Sequence, residues 1–251
     1  MSNINTANTS SGSAQAFSGH VALITGGSRG IGKAIAQKLV GLGAAVAICG
    51  RDAKTLEATA RELKESPSRV LAFQANITDF TDISRLVKAT EEQLGPITIL
   101  VNNVGIGNPG FGPLQEKSES EWDHVLDTNL KSVFLVSRAV VPLMIQRRRG
   151  DIINISSLAG KSVFAGGALY CASKWGLQGL SGCMAEDLRG FGIRVSIICP
   201  GSVFTDFSGR GLKDPSKMLT ANDVAHAVAM VVQQGPQSFI SEVHLRPLAR
   251  P

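Results

Sequence analysis

Seven short apolar runs punctuate this chain, and most of them do not alternate with polar residues. They are VALIT (21–25), AAVAIC (44–49), RVLAFQ (69–74), ITILVNN (97–103), DIINIS (151–156), IRVSIICPG (193–201) and SFISEVHL (238–245). A strand that is apolar at consecutive positions is buried on both faces. Between the runs lie segments with apolar residues at helical spacing: IGKAIAQKLVGLG (31–43), AKTLEATARELKE (53–65), 81–94, 119–149, 167–189 and 221–233. Pro142 inside 119–149 predicts a kink or break there. Strands alternating with helices predict a parallel sheet covered on both sides, a doubly wound α/β domain.

At 251 residues the chain suits one large domain, and no repeat or composition shift divides it. Residues 18–251 are expected to form that domain. Residues 1–17, small and polar, are expected to be a disordered tail. The tail has no Lys or Arg and no apolar stretch, which disfavours a transit or secretory signal. No apolar run approaches the roughly 20 residues of a membrane span, so a cytoplasmic protein with no membrane partner is expected.

The four cysteines form no C-x-x-C pair and read as free thiols. The four histidines are scattered without ligand spacing, so no metal is expected. The net charge of +5 is dispersed apart from Arg147-Arg148-Arg149, and aromatic residues are only 5%, so no nucleic-acid partner is expected. A mild positive charge also suits ligands that carry phosphate.

The first apolar run leads into TGGSRGIG (25–32) and then a helix. Gly26, Gly30 and Gly32 permit a tight turn, close approach of a pyrophosphate and close helix–strand packing, a Rossmann-type cradle at a helix N-terminus. The tip of the second strand chooses between dinucleotides. A carboxylate there binds a ribose 2′-hydroxyl, whereas a guanidinium binds a 2′-phosphate. Here Gly50 is followed by Arg51, with Arg29 in the glycine loop as a second cation, so NADP(H) is the expected cofactor. Asp52 comes one residue late and is a candidate helix cap.

Tyr170 is the only tyrosine, and Lys174 follows it by one helical turn in ALYCASKWG. An adjacent ammonium favours the phenolate and is expected to lower the tyrosine pKa, which suits proton exchange with a carbonyl oxygen or an alcohol. Ser157 lies at the end of the fifth run, where an open parallel sheet binds its ligands. Ser156 competes for that role, but strand alternation sends it to the opposite side.

Glycine loop, strand-end serine and Y-x-x-x-K, in this order, resemble the short-chain dehydrogenase/reductase family, over Gly19 to about Pro247. NNVG (102–105), Asn129 in DTNL, and PG (200–201) followed by Thr205 match further family landmarks. The resemblance implies a catalytic tetrad. Tyr170 is the acid/base, Lys174 binds the nicotinamide ribose and tunes the phenol, and Ser157 polarises the carbonyl; Asn129 holds a water behind Lys174. It implies cofactor contacts from Gly26, Ser28, Arg29, Gly30, Ile31, Gly32, Arg51, Asn76, Asn103 and Gly105. Tyr170, Lys174, Pro200, Gly201, Val203 and Thr205 complete that set. Asn76 replaces the acid usually offered to the adenine.

The segment 202–220 is where family members close over substrate; it is short, Gly-rich and basic (Arg210, Lys213, Lys217). Such a lid suits a small-molecule carbonyl with a long anionic carrier, acyl carrier protein or coenzyme A. Arg148 matches a carrier-docking position of 3-oxoacyl-carrier-protein reductases, with Phe191 where a second basic residue is expected; a solvated helix end is the competing reading. The resemblance thus implies an NADPH-dependent ketone reductase, with 3-oxoacyl thioesters as the leading class. An NADP-dependent dehydrogenase of a small hydroxy compound and a non-catalytic NADP sensor are the alternatives. A homotetramer or homodimer built on 119–149 and 167–189 is also implied, although the C-terminal SEVHLRPLARP lacks the usual Gly-Gly turn.

Overall fold

The computed structural model describes residues 16–64, 69–107, 112–208 and 214–249. Nearly all of the expected tail lies outside them, as do Arg210 and Lys213 of the lid segment. Phe17, assigned to the tail, is instead 2% exposed, meets His20 edge-on and donates its N–H to the Leu42 carbonyl at 2.8 Å. The folded unit therefore starts no later than Phe17, because its ring enters the core beside the end of the first helix.

Seven strands form one parallel sheet: β1 Val21–Thr25, β2 Ala45–Gly50, β3 Val70–Gln74, β4 Ile99–Asn102, β5 Gly150–Ile155, β6 Ile193–Pro200 and β7 Glu242–Leu245. Their order is β3-β2-β1-β4-β5-β6-β7. The direction of winding reverses between β1 and β4, which opens a crevice at their carboxyl ends. The α-helices are α1 Gly30–Gly41, α2 Ala53–Leu63, α3 Phe80–Gln93, α4 Glu119–Leu126, α5 Ser132–Arg147, α6 Ala168–Leu188 and α7 Ala221–Val232. Neighbouring β1 residues serve opposite layers. Ile24 joins Ile35, Leu39, Leu56 and Val228 on one side, and Leu23 joins Ile83, Leu86, Val140 and Met144 on the other. That two-sided burial is the physical origin of the non-alternating pattern. It also makes the sheet a rigid base for groups at its carboxyl end.

The long helical pattern is interrupted, but not at Pro142. α5 runs through Pro142, and the irregularity is a π-helical turn at Asp127–Lys131. A π turn inserts one residue into the hydrogen-bond register, and here it carries Asn129. By length and mean hydropathy alone (29 residues, 1.3), Glu119–Arg147 would pass for a membrane span. Its Val125, Val133, Val136, Val140 and Met144 are buried in the protein core.

Candidate active site

The helix starts at the carboxyl side of the sheet are not equivalent. Asp52 caps α2 by accepting from the Thr55 N–H at 2.7 Å, and Asp79 caps α3 by accepting from the Thr81 N–H at 2.7 Å. The Thr55 bonds hold the Asp52 carboxyl below its ordinary pKa. α1 has no side-chain cap and no acid in its first turn. Its first N–H groups are left to whatever ligand sits over the glycine loop.

The loop itself is close-packed. Gly26 (φ +67°) and Gly30 (φ +54°) take left-handed conformations that favour glycine. A Cβ on Gly26 would lie 2.9 Å from Val104 Cγ2. Asn103 ties the loop to the end of β4, its Nδ2 donating to the Thr25 carbonyl at 2.9 Å and the Gly26 carbonyl at 3.3 Å. Asn103 thus shapes the loop. Ser28 lies beside Gly50, and Thr205 is against Gly30, so the stretch after Pro200-Gly201 meets the glycine loop directly. Val203 is buried and pairs with Leu219 by a single bridge, anchoring that stretch to the far end of the lid segment. Arg29 and Arg51 are both exposed and take part in no ion pair among the described residues. Beside Arg51, a groove of ≈ 480 Å³ runs past Gln74, Asn76 and Arg85. Asn76 is exposed there, but its Oδ1 already accepts from Thr78 Oγ1 at 2.9 Å.

Across the crevice, β5 and α6 bring Ser157, Tyr170 and Lys174 together. Ser157 Oγ accepts from the Ala159 N–H at 3.1 Å and is hydrogen-bonded to the Tyr170 hydroxyl. Ser156 points the other way, buried, and accepts from Gln178 Nε2 at 3.1 Å. Lys174 is 3% exposed; its Nζ donates to the Ile155 carbonyl at 3.1 Å and lies 5.8 Å from the Tyr170 ring centre. A Cβ on Gly105 would meet Lys174 Nζ and Asn129 Oδ1 at 3.5 Å, so the β4 loop closes over the amine.

One expectation about this group changes. Burial pushes the Tyr170 phenol up from its ordinary value; the Ser157 hydrogen bond only partly offsets this, and the Lys174 amine does not lower it. Lys174, bonded to the Ile155 carbonyl, is itself lowered by burial to about 8. Asn129 is fully buried, and both polar atoms of its side chain have partners in the protein. Oδ1 accepts from the Ile106 N–H at 2.7 Å, and Nδ2 donates to the Ile106 carbonyl at 2.9 Å and to Ser173 Oγ at 3.0 Å.

Sequence reasoning missed Phe207. It lies in the lid segment, 53% exposed, with its ring centre 6.1 Å from that of Tyr170 and its edge near Gly107. The segment's glycines and basic residues drew attention; the signal for Phe207 was a large apolar residue in an otherwise polar stretch. Arg148, by contrast, does not reach the group. It ends α5 in a left-handed conformation and donates to the Gly190 carbonyl at 2.9 Å. From the start of β5 to Ser157 is about 20 Å along the strand.

A short chain dehydrogenase family model matches residues 20–215. The 3-oxoacyl-[acyl-carrier-protein] reductase FabG of Staphylococcus aureus is 38% identical over 223 residues, covering 84% of this chain and 89% of the relative. A metagenomic short-chain oxidoreductase, crystallised with NADP, superposes with a TM-score of 0.82 at 41% identity, covering 94% of this chain and 100% of that one. An alcohol dehydrogenase from the archaeon Thermococcus sibiricus, complexed with 5-hydroxy-NADP, gives a TM-score of 0.85 at 28% identity, covering 92% and 98%.

Proposed function

This chain belongs to the short chain dehydrogenase family, oxidoreductases of the carbonyl/secondary-alcohol couple, and on that premise we propose that it is an NADPH-dependent reductase of 3-oxoacyl thioesters. The observation that carries the reading is the meeting of Ser157, Tyr170 and Lys174 at the carboxyl end of β5, across the crevice from an uncapped helix behind a glycine loop.

The residues present fit the dinucleotide. The uncapped N-terminus of α1 and the left-handed Gly26 and Gly30 form a cradle for a pyrophosphate. The exposed guanidinium groups of Arg29 and Arg51 suit a 2′-phosphate, with no acid at the β2 tip to repel it. Gly105, Thr205 and Lys174 line the inner end, where a nicotinamide ribose belongs. When bound, NADPH supplies the hydride for a carbonyl carbon.

The chain's own groups supply the proton and the orientation. The raised phenol of Tyr170 stays protonated at neutral pH, as a donor to a developing alkoxide must. Ser157 Oγ, already bonded to that hydroxyl, shares the same oxygen and aims it. Lys174, near 8, is largely cationic at pH 7 and favours negative charge beside the phenol. Phe207, with its ring centre 6.1 Å from that of Tyr170, gives this group an apolar neighbour.

The likeness to the staphylococcal carrier-protein reductase supports a thioester substrate, presented by acyl carrier protein or coenzyme A. A cytoplasmic homo-oligomer remains part of the proposal. The likeness to the archaeal alcohol dehydrogenase favours a second reading, oxidation of a small hydroxy compound with NADP. The test is NADPH oxidation with acetoacetyl-coenzyme A, run beside NADH and a Tyr170→Phe control. Turnover with NADPH that the control loses is the expected result. Intact NADPH binding without turnover would remove thioesters and favour the hydroxy compounds.

A further inference from the structure

Behind the β5–α6 group, on the other side of Gln178, three potential metal ligands converge from the last two strands. In the parallel pairing of β6 with β7, Cys199 stands opposite His244, and Ile197 stands opposite Glu242. Strand alternation puts Cys199, Glu242 and His244 on one face of the sheet. Their ligand atoms all lie within 4.8 Å of one another. Glu242 Oε1 is the centre of the group, 3.5 Å from Cys199 Sγ, 2.7 Å from His244 Nε2 and 2.8 Å from Lys161 Nζ.

We propose that Cys199, Glu242 and His244 form a binding site for a borderline divalent transition metal of the zinc type. A thiolate, an imidazole and a carboxylate are a three-protein-ligand set that leaves a fourth tetrahedral position for water. With Zn–S near 2.3 Å and Zn–O near 2.0 Å, a tetrahedron has an S–O edge of about 3.5 Å. The Cys199–Glu242 separation is 3.5 Å. The corresponding N–O edge is about 3.3 Å, so the His244–Glu242 hydrogen bond opens by about half an ångström as the metal enters between them.

The charges balance. Two metal charges meet one thiolate and one carboxylate, and the neutral imidazole adds none. Binding releases the Cys199 thiol proton to solvent. The Lys161 amine, which now neutralises Glu242, is a one-third exposed side chain and turns outward. Access is from the sheet edge, since β7 is the terminal strand and the His244 side chain is 42% exposed while Cys199 is buried. Gln178 Nε2, 3.1 Å from both Cys199 Sγ and Ser156 Oγ, orients the sulfur from behind. The scattered sequence spacing that argued against a metal concealed this, because strand pairing, not a short motif, unites Cys199 with His244.

The experiment is a Co²⁺ titration of the full chain, stripped with chelator and kept reduced, followed by absorption. The expected result is a near-ultraviolet thiolate-to-cobalt charge-transfer band with tetrahedral visible bands, both removed by added Zn²⁺. Cys199→Ser should abolish the charge-transfer band. His244→Ala, at an exposed position that does not threaten folding, should weaken Co²⁺ binding at least about tenfold. Cys183→Ser, which alters the exposed thiol, should leave the spectrum unchanged. Lys161→Met should tighten binding by removing the competing cation. Absence of the charge-transfer band from the wild-type protein, its persistence at undiminished affinity in His244→Ala, or its loss in Cys183→Ser would each overturn the site.

Discussion

The two ends of the central strands treat their cations in opposite ways. At the amino ends, polar groups are paired within the protein. Asp151, 6% exposed, accepts from Arg194 Nε at 2.5 Å, and the same guanidinium donates to the Val232 and Gln234 carbonyls. Thr98 Oγ1 accepts from the Val21 N–H at 3.1 Å and lies 3.1 Å from His20 Nδ1, whose other nitrogen meets Arg149. Arg147 pairs with Glu91. At the carboxyl ends, α1 is uncapped, Arg29 and Arg51 face solvent, and Lys174 is a buried amine that donates to the Ile155 carbonyl. A buried ion without a matching counter-ion costs stability, and such groups concentrate where a ligand completes them. The amino end pairs its cations within the protein; the carboxyl end, on the proposed function, keeps its cations for the dinucleotide.

The sharpest way to break this contrast is Tyr170→Phe. It removes only the hydroxyl and should lower kcat by roughly 10²–10⁴-fold with an unchanged unfolding midpoint. A large loss of stability instead would mean that the carboxyl end is also built for folding. Arg194→Leu is the mirror experiment. Leaving Asp151 buried without its partner should cost about 3 kcal/mol in urea denaturation, while kcat per folded molecule stays at the wild-type value. Arg51→Asp comes next. Losing a charge-assisted contact to the 2′-phosphate should weaken NADPH binding roughly 10- to 100-fold with little change for NADH. Equal losses for both cofactors, measured by fluorescence titration, would remove that assignment.

Two pH profiles sharpen the comparison further. With Lys174 near 8 in the free protein, kcat/KM for NADPH should decline as pH rises through about 8 and the amine loses its charge. At the other end, burial and then Arg149 hold His20 below its ordinary 6.5. The unfolded chain then takes up this proton at a higher pH than the native protein does. The stability His20 contributes is complete above pH 6.5 and is lost as pH falls through the depressed value. The difference in urea midpoint between wild type and His20→Gln should therefore change with pH only in that window. A constant difference would show that His20 does not titrate against folding.

Much of the carboxyl end was legible because its chemistry uses short-range patterns. Ser157 was separable from Ser156 by strand alternation alone, and Asp52 was readable as a cap from its place before α2. The rest depended on distant partners. Nothing near Asn129 announces that its side chain is used by Ile106 and Ser173, or that the helix break lies there and not at Pro142. The Y-x-x-x-K spacing correctly put Lys174 near Tyr170. It could not say that burial would move the two pKa values in opposite directions, since desolvation arises only once distant segments pack around the pair.

The sequence by itself determined the layered parallel sheet, the glycine cradle and the residues facing it. Apolar runs, glycines and helical spacing act over a few residues, and that is the range a sequence pattern records. Only the tertiary structure decided which polar groups are satisfied, how far Arg148 lies from Ser157, that Phe207 stands beside Tyr170, and that Cys199 meets Glu242 and His244. Those outcomes depend on strand register and loop closure between segments tens of residues apart. Desolvation and hydrogen-bond partners, which set pKa values and ligand geometry, exist only once those segments have packed.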